Sequence, residues 1–159
     1  MSEKPNTVDF RFRERLNKVL GGHHHNFCYQ CGACVSQCPA YKYSDDFNPR
    51  SIIQMALLGL PDKLLGPDSP IWLCTNCYTC YERCPQDVRP VEVITALKNL
   101  CVEDGIAPDQ IKKFSQGVVD TGMSTPLTAT MIKRRAEMGL PDFAMTGYDE
   151  LAKLLEDSD

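Results

Sequence analysis

The sequence has no apolar run long enough to span a bilayer. Its longest, Ile52 to Leu60, is interrupted by Gln54 and closed by Pro61, about half of the roughly 20 residues a span needs. Met1 to Thr7 is polar and offers no apolar segment of a secretory signal. Positive charge is not in excess either. Seventeen Lys and Arg face 21 Asp and Glu, for a net charge of −4, a poor balance for coating a nucleic-acid backbone. No G-x-G-x-x-G and no G-x-x-x-x-G-K-[ST] occurs, so no nicotinamide, flavin or nucleotide-phosphate site is visible. These absences predict a cytoplasmic chain without a transmembrane segment and without a nucleic-acid partner.

What the chain has in plenty is cysteine, nine in 159 residues. In a reducing compartment regular cysteines point to metal or redox chemistry rather than to disulfides, and an odd count agrees. Eight of them form two runs. The first is Cys28-Tyr29-Gln30-Cys31-Gly32-Ala33-Cys34-Val35-Ser36-Gln37-Cys38-Pro39; the second is Cys74-Thr75-Asn76-Cys77-Tyr78-Thr79-Cys80-Tyr81-Glu82-Arg83-Cys84-Pro85. Both read C-x2-C-x2-C-x3-C-P, the spacing of two-cluster ferredoxins, in which the fourth cysteine ligates the other cluster.

Three thiolates two residues apart wrap a tight loop around one cubane, and loop N–H groups offset its negative charge. The fourth cysteine turns away as the chain becomes helical. The spacing therefore assigns Cys28, Cys31, Cys34 and Cys84 to one [4Fe–4S] cluster and Cys74, Cys77, Cys80 and Cys38 to a second. Two zinc sites are the rival, since C-x2-C also binds zinc; zinc needs neither the third cysteine nor the C-P ending, twice over. Each oxidised cluster adds about −2, which takes the loaded chain to about −8.

The rest of the chain reads as helix. Phe12, Leu16, Val19 and Leu20 form a stripe ending at Gly21-Gly22. Asn48 caps a helix from Pro49 to before Pro61, expected to be buried between neighbours. Pro90 opens Val91 to Val102, with Val91, Ile94, Leu97 and Cys101 on one side. Pro108 opens Ile111 to Val119, and Pro126 opens Leu127 to Met138. Tyr148 to Leu155 is a short acidic helix or a tail. No segment reads as a strand. The expected fold is all-α: an α-helical ferredoxin-like two-cluster domain over 23–105, an N-terminal helix over 1–22, a helical extension over 106–141 and an acidic tail over 142–159.

Other residues read more plainly. His23, His24 and His25 make a solvated loop beside the first run, because four cysteines already serve each cluster. Cys101 is a small core residue. Lys133-Arg134-Arg135 is a solvated basic face. Phe27, Tyr29, Trp72, Tyr78 and Tyr81 flank the runs and shield the clusters from water. With eight cysteines engaged as ligands, no catalytic residue is visible on this chain.

Four local features then carry a resemblance: Cys28-Tyr29-Gln30-Cys31-Gly32-Ala33-Cys34, Asn48-Pro49-Arg50 at the insert helix, Trp72-Leu73-Cys74, and Pro85-Gln86-Asp87-Val88-Arg89-Pro90. Over roughly residues 8–142 the chain resembles the C subunit of heterodisulfide reductase and its relatives. The resemblance implies an electron-transfer subunit with two [4Fe–4S] clusters. It also implies a hetero-oligomer, with a flavin-containing A-type subunit on one side and a Cys-Cys-Gly-containing B-type subunit that handles a disulfide or sulfur group on the other. Sulfur-oxidising relatives, which run towards oxidation of sulfane sulfur, belong to the same group. The alternatives are a free-standing ferredoxin-like carrier or the cluster subunit of a succinate- or glycolate-type enzyme.

Overall fold

The computed structural model describes residues 7–125, 127–142, 150 and 153–154. Among the described residues the regular structure is nine α-helices and two 3₁₀ turns, with no strand. The all-α expectation holds. The chain divides after Pro108 into two compact units.

In the first unit, Asp9 caps α1 (Phe10–Lys18) by accepting the Arg11 N–H at 2.8 Å. Phe12 and Leu16 are buried, as the apolar stripe required. The stripe stops short of its expected end, however. The helix closes at Lys18, and Leu20 is 95% exposed. The cause is the close approach of the next segment. Gly22 lies against the Leu16 carbonyl so tightly that any Cβ there would collide with it, and this turns the chain before Leu20 reaches the core. Arg15 fixes the helix from outside with hydrogen bonds of 2.7 and 2.8 Å to Asp104 and 3.1 Å to Glu103.

Two short helices, α2 (Ala33–Ser36) and α3 (Pro39–Tyr43), follow the first run. The insert then forms α4 (Pro49–Leu58), capped where the sequence indicated: Asn48 Oδ1 accepts the Ser51 N–H at 3.2 Å. Ile52, Ile53 and Ala56 are buried while Leu58 is exposed, so α4 has one wet edge. After α5 (Pro61–Leu64) and α6 (Thr79–Glu82) comes α7 (Pro90–Glu103). It is the central rod. Val91, Val93, Ile94, Ala96, Leu97, Leu100 and Cys101 are all buried on it, and it touches α1, α4, α6 and both 3₁₀ turns. A helix apolar on most of its surface has to sit inside. Cys101 is a core residue there, its sulfur accepting the Gly66 N–H at 3.5 Å.

The second unit holds α8 (Asp109–Thr121) and α9 (Ala129–Glu137), neither with a buried residue. The last helix starts two residues later than Leu127, because the Thr128 side chain accepts the Met131 N–H and caps the helix at that point. Pro126 and most of the Tyr148–Leu155 segment lie outside the described residues. Lys133 and Arg134 are exposed, and Arg135 donates to the Pro141 carbonyl at 3.1 Å. None of the helices is long and apolar enough to cross a membrane among the described residues.

Candidate metal centre

The two cysteine runs are a repeat of backbone as well as of sequence. A 3₁₀ turn leads into each: Gly22–Phe27 before Cys28, and Pro70–Leu73 before Cys74. The Cys28 N–H reaches the His25 carbonyl at 3.2 Å, and the Cys74 N–H reaches the Ile71 carbonyl at 3.3 Å. Further in, Gln30 and Asn76 are both left-handed (φ 66° and 51°), and so are Gly32 and Tyr78 (φ 82° and 61°). The Val35 and Tyr81 N–H groups close matching bonds of 2.9 Å to Gly32 and Tyr78, and the Cys38 and Cys84 N–H groups close bonds of 3.2 and 3.4 Å. Left-handed residues at these places turn successive N–H groups to one side, which makes a concavity suited to negative charge.

The repeat corrects the expectation for the histidines. His25 occupies the place that Ile71 fills in the second run, and both are fully buried. It is a core residue of the first turn, not part of a solvated loop. His24 is half-buried, 3.7 Å from Glu92. The His25 Nδ1 and the Gly22 carbonyl are 2.6 Å apart, so the ring donates there. Burial pulls its pKa below the ordinary value, against that backbone bond. The neutral tautomer therefore stays in the core.

The thiols form two neighbourhoods. Burial raises Cys28, and the charges of Cys84 and Cys31 raise it further, against hydrogen bonds from Gln30. The Gln30 amide donates to Cys28 Sγ at 3.3 Å. Burial raises Cys74 as well, with Cys38 and Cys77 adding to it and the Asn76 N–H and Lys98 opposing. Cys80 is pushed up to about 11 by burial, with Cys74, Cys77 and Cys38 adding to it. Cys34 is pushed up to about 12, first by burial and then by Cys80 and Cys28, which brings the two groups side by side. Cys77 is shifted down, by Thr79 and Thr75. Its sulfur is 3.5 Å from Thr79 Oγ1. Cys84 Sγ accepts the Val88 N–H at 3.2 Å.

The charge of Cys84 thus acts on Cys28, and that of Cys38 acts on Cys74 and Cys80, while Cys34 is acted on most by Cys80. Crowded, half-buried thiols resist becoming thiolates together unless a cation compensates them. Among the described residues no three His, Cys, Asp or Glu side chains meet closely enough to share a single ion. Eight soft sulfur donors on two loops of matching backbone suit iron–sulfur chemistry.

The flanking aromatics shield less than expected. Phe27, Tyr29 and Tyr78 are more than half exposed. Trp72 is held under cover by its Nε1–H bond of 2.8 Å to the Gly66 carbonyl, and Tyr81 lies 5.0 Å below the Arg89 guanidinium. Sequence reasoning passed over Arg89, which grips Asp87 with two 2.9 Å hydrogen bonds. It also passed over Lys98, whose Nζ reaches the Cys74 carbonyl. The one signal for Lys98 was a lysine within a helix otherwise dominated by apolar residues.

Residues 24–88 match the family described as a 4Fe-4S dicluster domain. The chain is 39% identical over 114 residues to the iron-sulfur C 2 subunit of the CoB–CoM heterodisulfide reductase of Methanocaldococcus jannaschii, a match covering 72% of this chain and 60% of that protein. It is 32% identical over 141 residues to the C subunit of the H(2):CoB-CoM heterodisulfide,ferredoxin reductase of Methanothermobacter marburgensis, covering 89% of this chain and 75% of the other. The C2 subunit of the H(2)/formate:CoB-CoM heterodisulfide,ferredoxin reductase of Methanococcus maripaludis is 38% identical over 133 residues, covering 80% and 71%. The dicluster match and the cysteine set fit two [4Fe–4S] clusters.

Proposed function

Because the chain belongs to the family of heterodisulfide reductase C subunits, we propose that it relays single electrons through two [4Fe–4S] clusters within a heterodisulfide reductase-like complex. The observation that carries this is the matched backbone of the two C-x2-C-x2-C-x3-C-P loops; the charge of Cys84 acting on Cys28, and that of Cys38 on Cys74 and Cys80, agrees with fourth cysteines that cross between clusters. It supports Cys28, Cys31, Cys34 and Cys84 as ligands of one cluster, and Cys74, Cys77, Cys80 and Cys38 as ligands of the other. When bound, each cluster supplies a one-electron couple.

The protein's part is to hold charge and limit rearrangement. The Gln30 amide at Cys28, the Val88 N–H at Cys84 and the Thr79 hydroxyl at Cys77 stabilise thiolate charge, which grows with every electron gained. α7, buried along most of its length, fixes both loops to one rod. The exposed edges at Cys31 and Cys77 are where partners approach. Those partners are a flavin-containing A-type subunit and a Cys-Cys-Gly-containing B-type subunit, the latter acting on a disulfide or an oxidisable sulfur group, in the cytoplasm.

Anaerobic purification of the full chain from its native host tests this. About eight iron and eight sulfide per chain are expected, with a flavoprotein and a Cys-Cys-Gly protein co-purifying. Zinc in place of iron overturns the cluster assignment. An iron-loaded monomer without partners overturns the complex and leaves a free-standing carrier.

A further inference from the structure

α7 presents one cation to the second run. Lys98 Nζ donates to the Cys74 carbonyl at 3.4 Å and to Asn76 Oδ1 at 3.5 Å, and stands 5.8 Å over the Trp72 ring. Three electron-rich but uncharged groups thus hold a half-buried ammonium in one place. None of the ion pairs among the described residues includes Lys98. A cation held in place without a counter-charge is favoured where negative charge lies close by. The second run's thiolates supply that charge, since the ammonium sits on the Cys74 backbone itself.

Among the described residues no lysine or arginine side chain is hydrogen-bonded to a cysteine of the first run; the half-buried Arg13 instead donates to Asn26 Oδ1 at 3.3 Å. In the loop itself a neutral amide, Gln30, the equivalent of Asn76, donates to Cys28 Sγ, and the charges acting on Cys28 are those of Cys84 and Cys31. Arg50 comes near the first loop only at its solvent edge. Its Nη1 would lie 3.8 Å from a Cβ at Gly32, and the residue is exposed, so water screens it.

We propose that Lys98 raises the reduction potential of the cluster held by the second run, and so makes that run the electron-accepting end of the chain. The inference rests on the two-cluster relay above. Reduction adds one negative charge and leaves the ligands in place, so a fixed positive charge nearby favours the reduced state. The transfer is one electron from the first site to the second; the first is oxidised by one unit, the second reduced by one, and no proton or bond changes place.

The test is an EPR-monitored redox titration of the full chain, purified anaerobically. Lys98→Met keeps the length of the side chain and removes its charge. The potential of one cluster should fall by about a tenfold change in its reduction equilibrium, or about 59 mV for one electron. The other cluster should stay put, and Lys98→Arg should restore the difference. The signal that moves should be the one that survives Cys84→Ser. No shift, an equal shift in both clusters, or a shift of the signal lost in Cys84→Ser overturns the proposal. A further check does not depend on the Lys98 variants folding. In the unsubstituted chain, the cluster that survives Cys84→Ser should be the first to be reduced as the potential is lowered; the opposite order overturns the proposal. An iron content short of two clusters overturns the relay reading instead.

Discussion

The two cysteine runs share a backbone and differ in what decorates it. At the third position both are left-handed, with Gln30 in one and Asn76 in the other. At the fifth, the first run places glycine and the second tyrosine at nearly the same φ. Gly32 adopts that conformation without cost, whereas a side-chain-bearing residue there costs about 1–2 kcal/mol. The second loop accepts this at Tyr78, whose ring is half exposed and lies 6.0 Å from Tyr81. The first run is also preceded by α1 and by a buried histidine; the second is preceded by Pro70 and Ile71. The common backbone is what eight thiols need to converge. The differences make the two sites chemically unequal on one scaffold.

The strongest way to break the comparison is through the exchanged cysteines. Cys84→Ser should damage the cluster with Cys28 and spare the one with Cys80, with iron content falling by about half. Cys38→Ser should do the reverse. Iron assay and EPR check both, and loss of the cluster within the mutated residue's own run defeats the assignment.

A smaller effect comes from trading the fifth positions. Gly32→Ala should destabilise the loaded chain by about 1 kcal/mol through backbone strain alone, because a Cβ there meets only the flexible Arg50 side chain at ordinary contact distance. Tyr78→Gly should relieve strain and stabilise by up to about that much. The midpoint of thermal bleaching of cluster absorbance reads both, with a shift of several degrees and opposite signs. Equal signs would mean that the two loops are not the same structure.

The smallest effect concerns α1, which only the first run has. Arg15→Ala should cost about 1 kcal/mol or less, since the Arg15–Asp104 pair is largely exposed and screened. The hydrogen bond from Arg15 holds the Asp104 carboxyl below its usual range. The folded pKa is thus depressed, so this contribution is present above about pH 4 and fades as pH falls through the folded value. The Arg15→Ala chain should lose that part of its acid sensitivity, as measured by denaturant unfolding at pH 3 and pH 7.

Much of this was legible in the order of the residues. Thiol spacing is dictated by the group it binds, so the runs carried their own geometry. Asn48-Pro49 and Pro90 marked helix starts because cap and proline chemistry is local. What stayed hidden depends on packing. His25 is polar by composition, and only its register with Ile71 shows that it fills the core. Leu20 continues the helical stripe in sequence but is thrown outside by the Gly22 contact. Tyr78 gives no local sign of its left-handed backbone. Lys98 would pass for a solvated lysine until Cys74, Asn76 and Trp72 are seen around it.

The exchange of fourth cysteines also bears on how such a chain can be divided or reused. A fragment ending in the insert would keep four cysteines in a row, yet on the ligand sets proposed above one of them, Cys38, serves the other fragment's cluster. Neither half is a portable one-cluster module. On those ligand sets the two halves hold their clusters jointly, and each cluster is kept or lost with both of them.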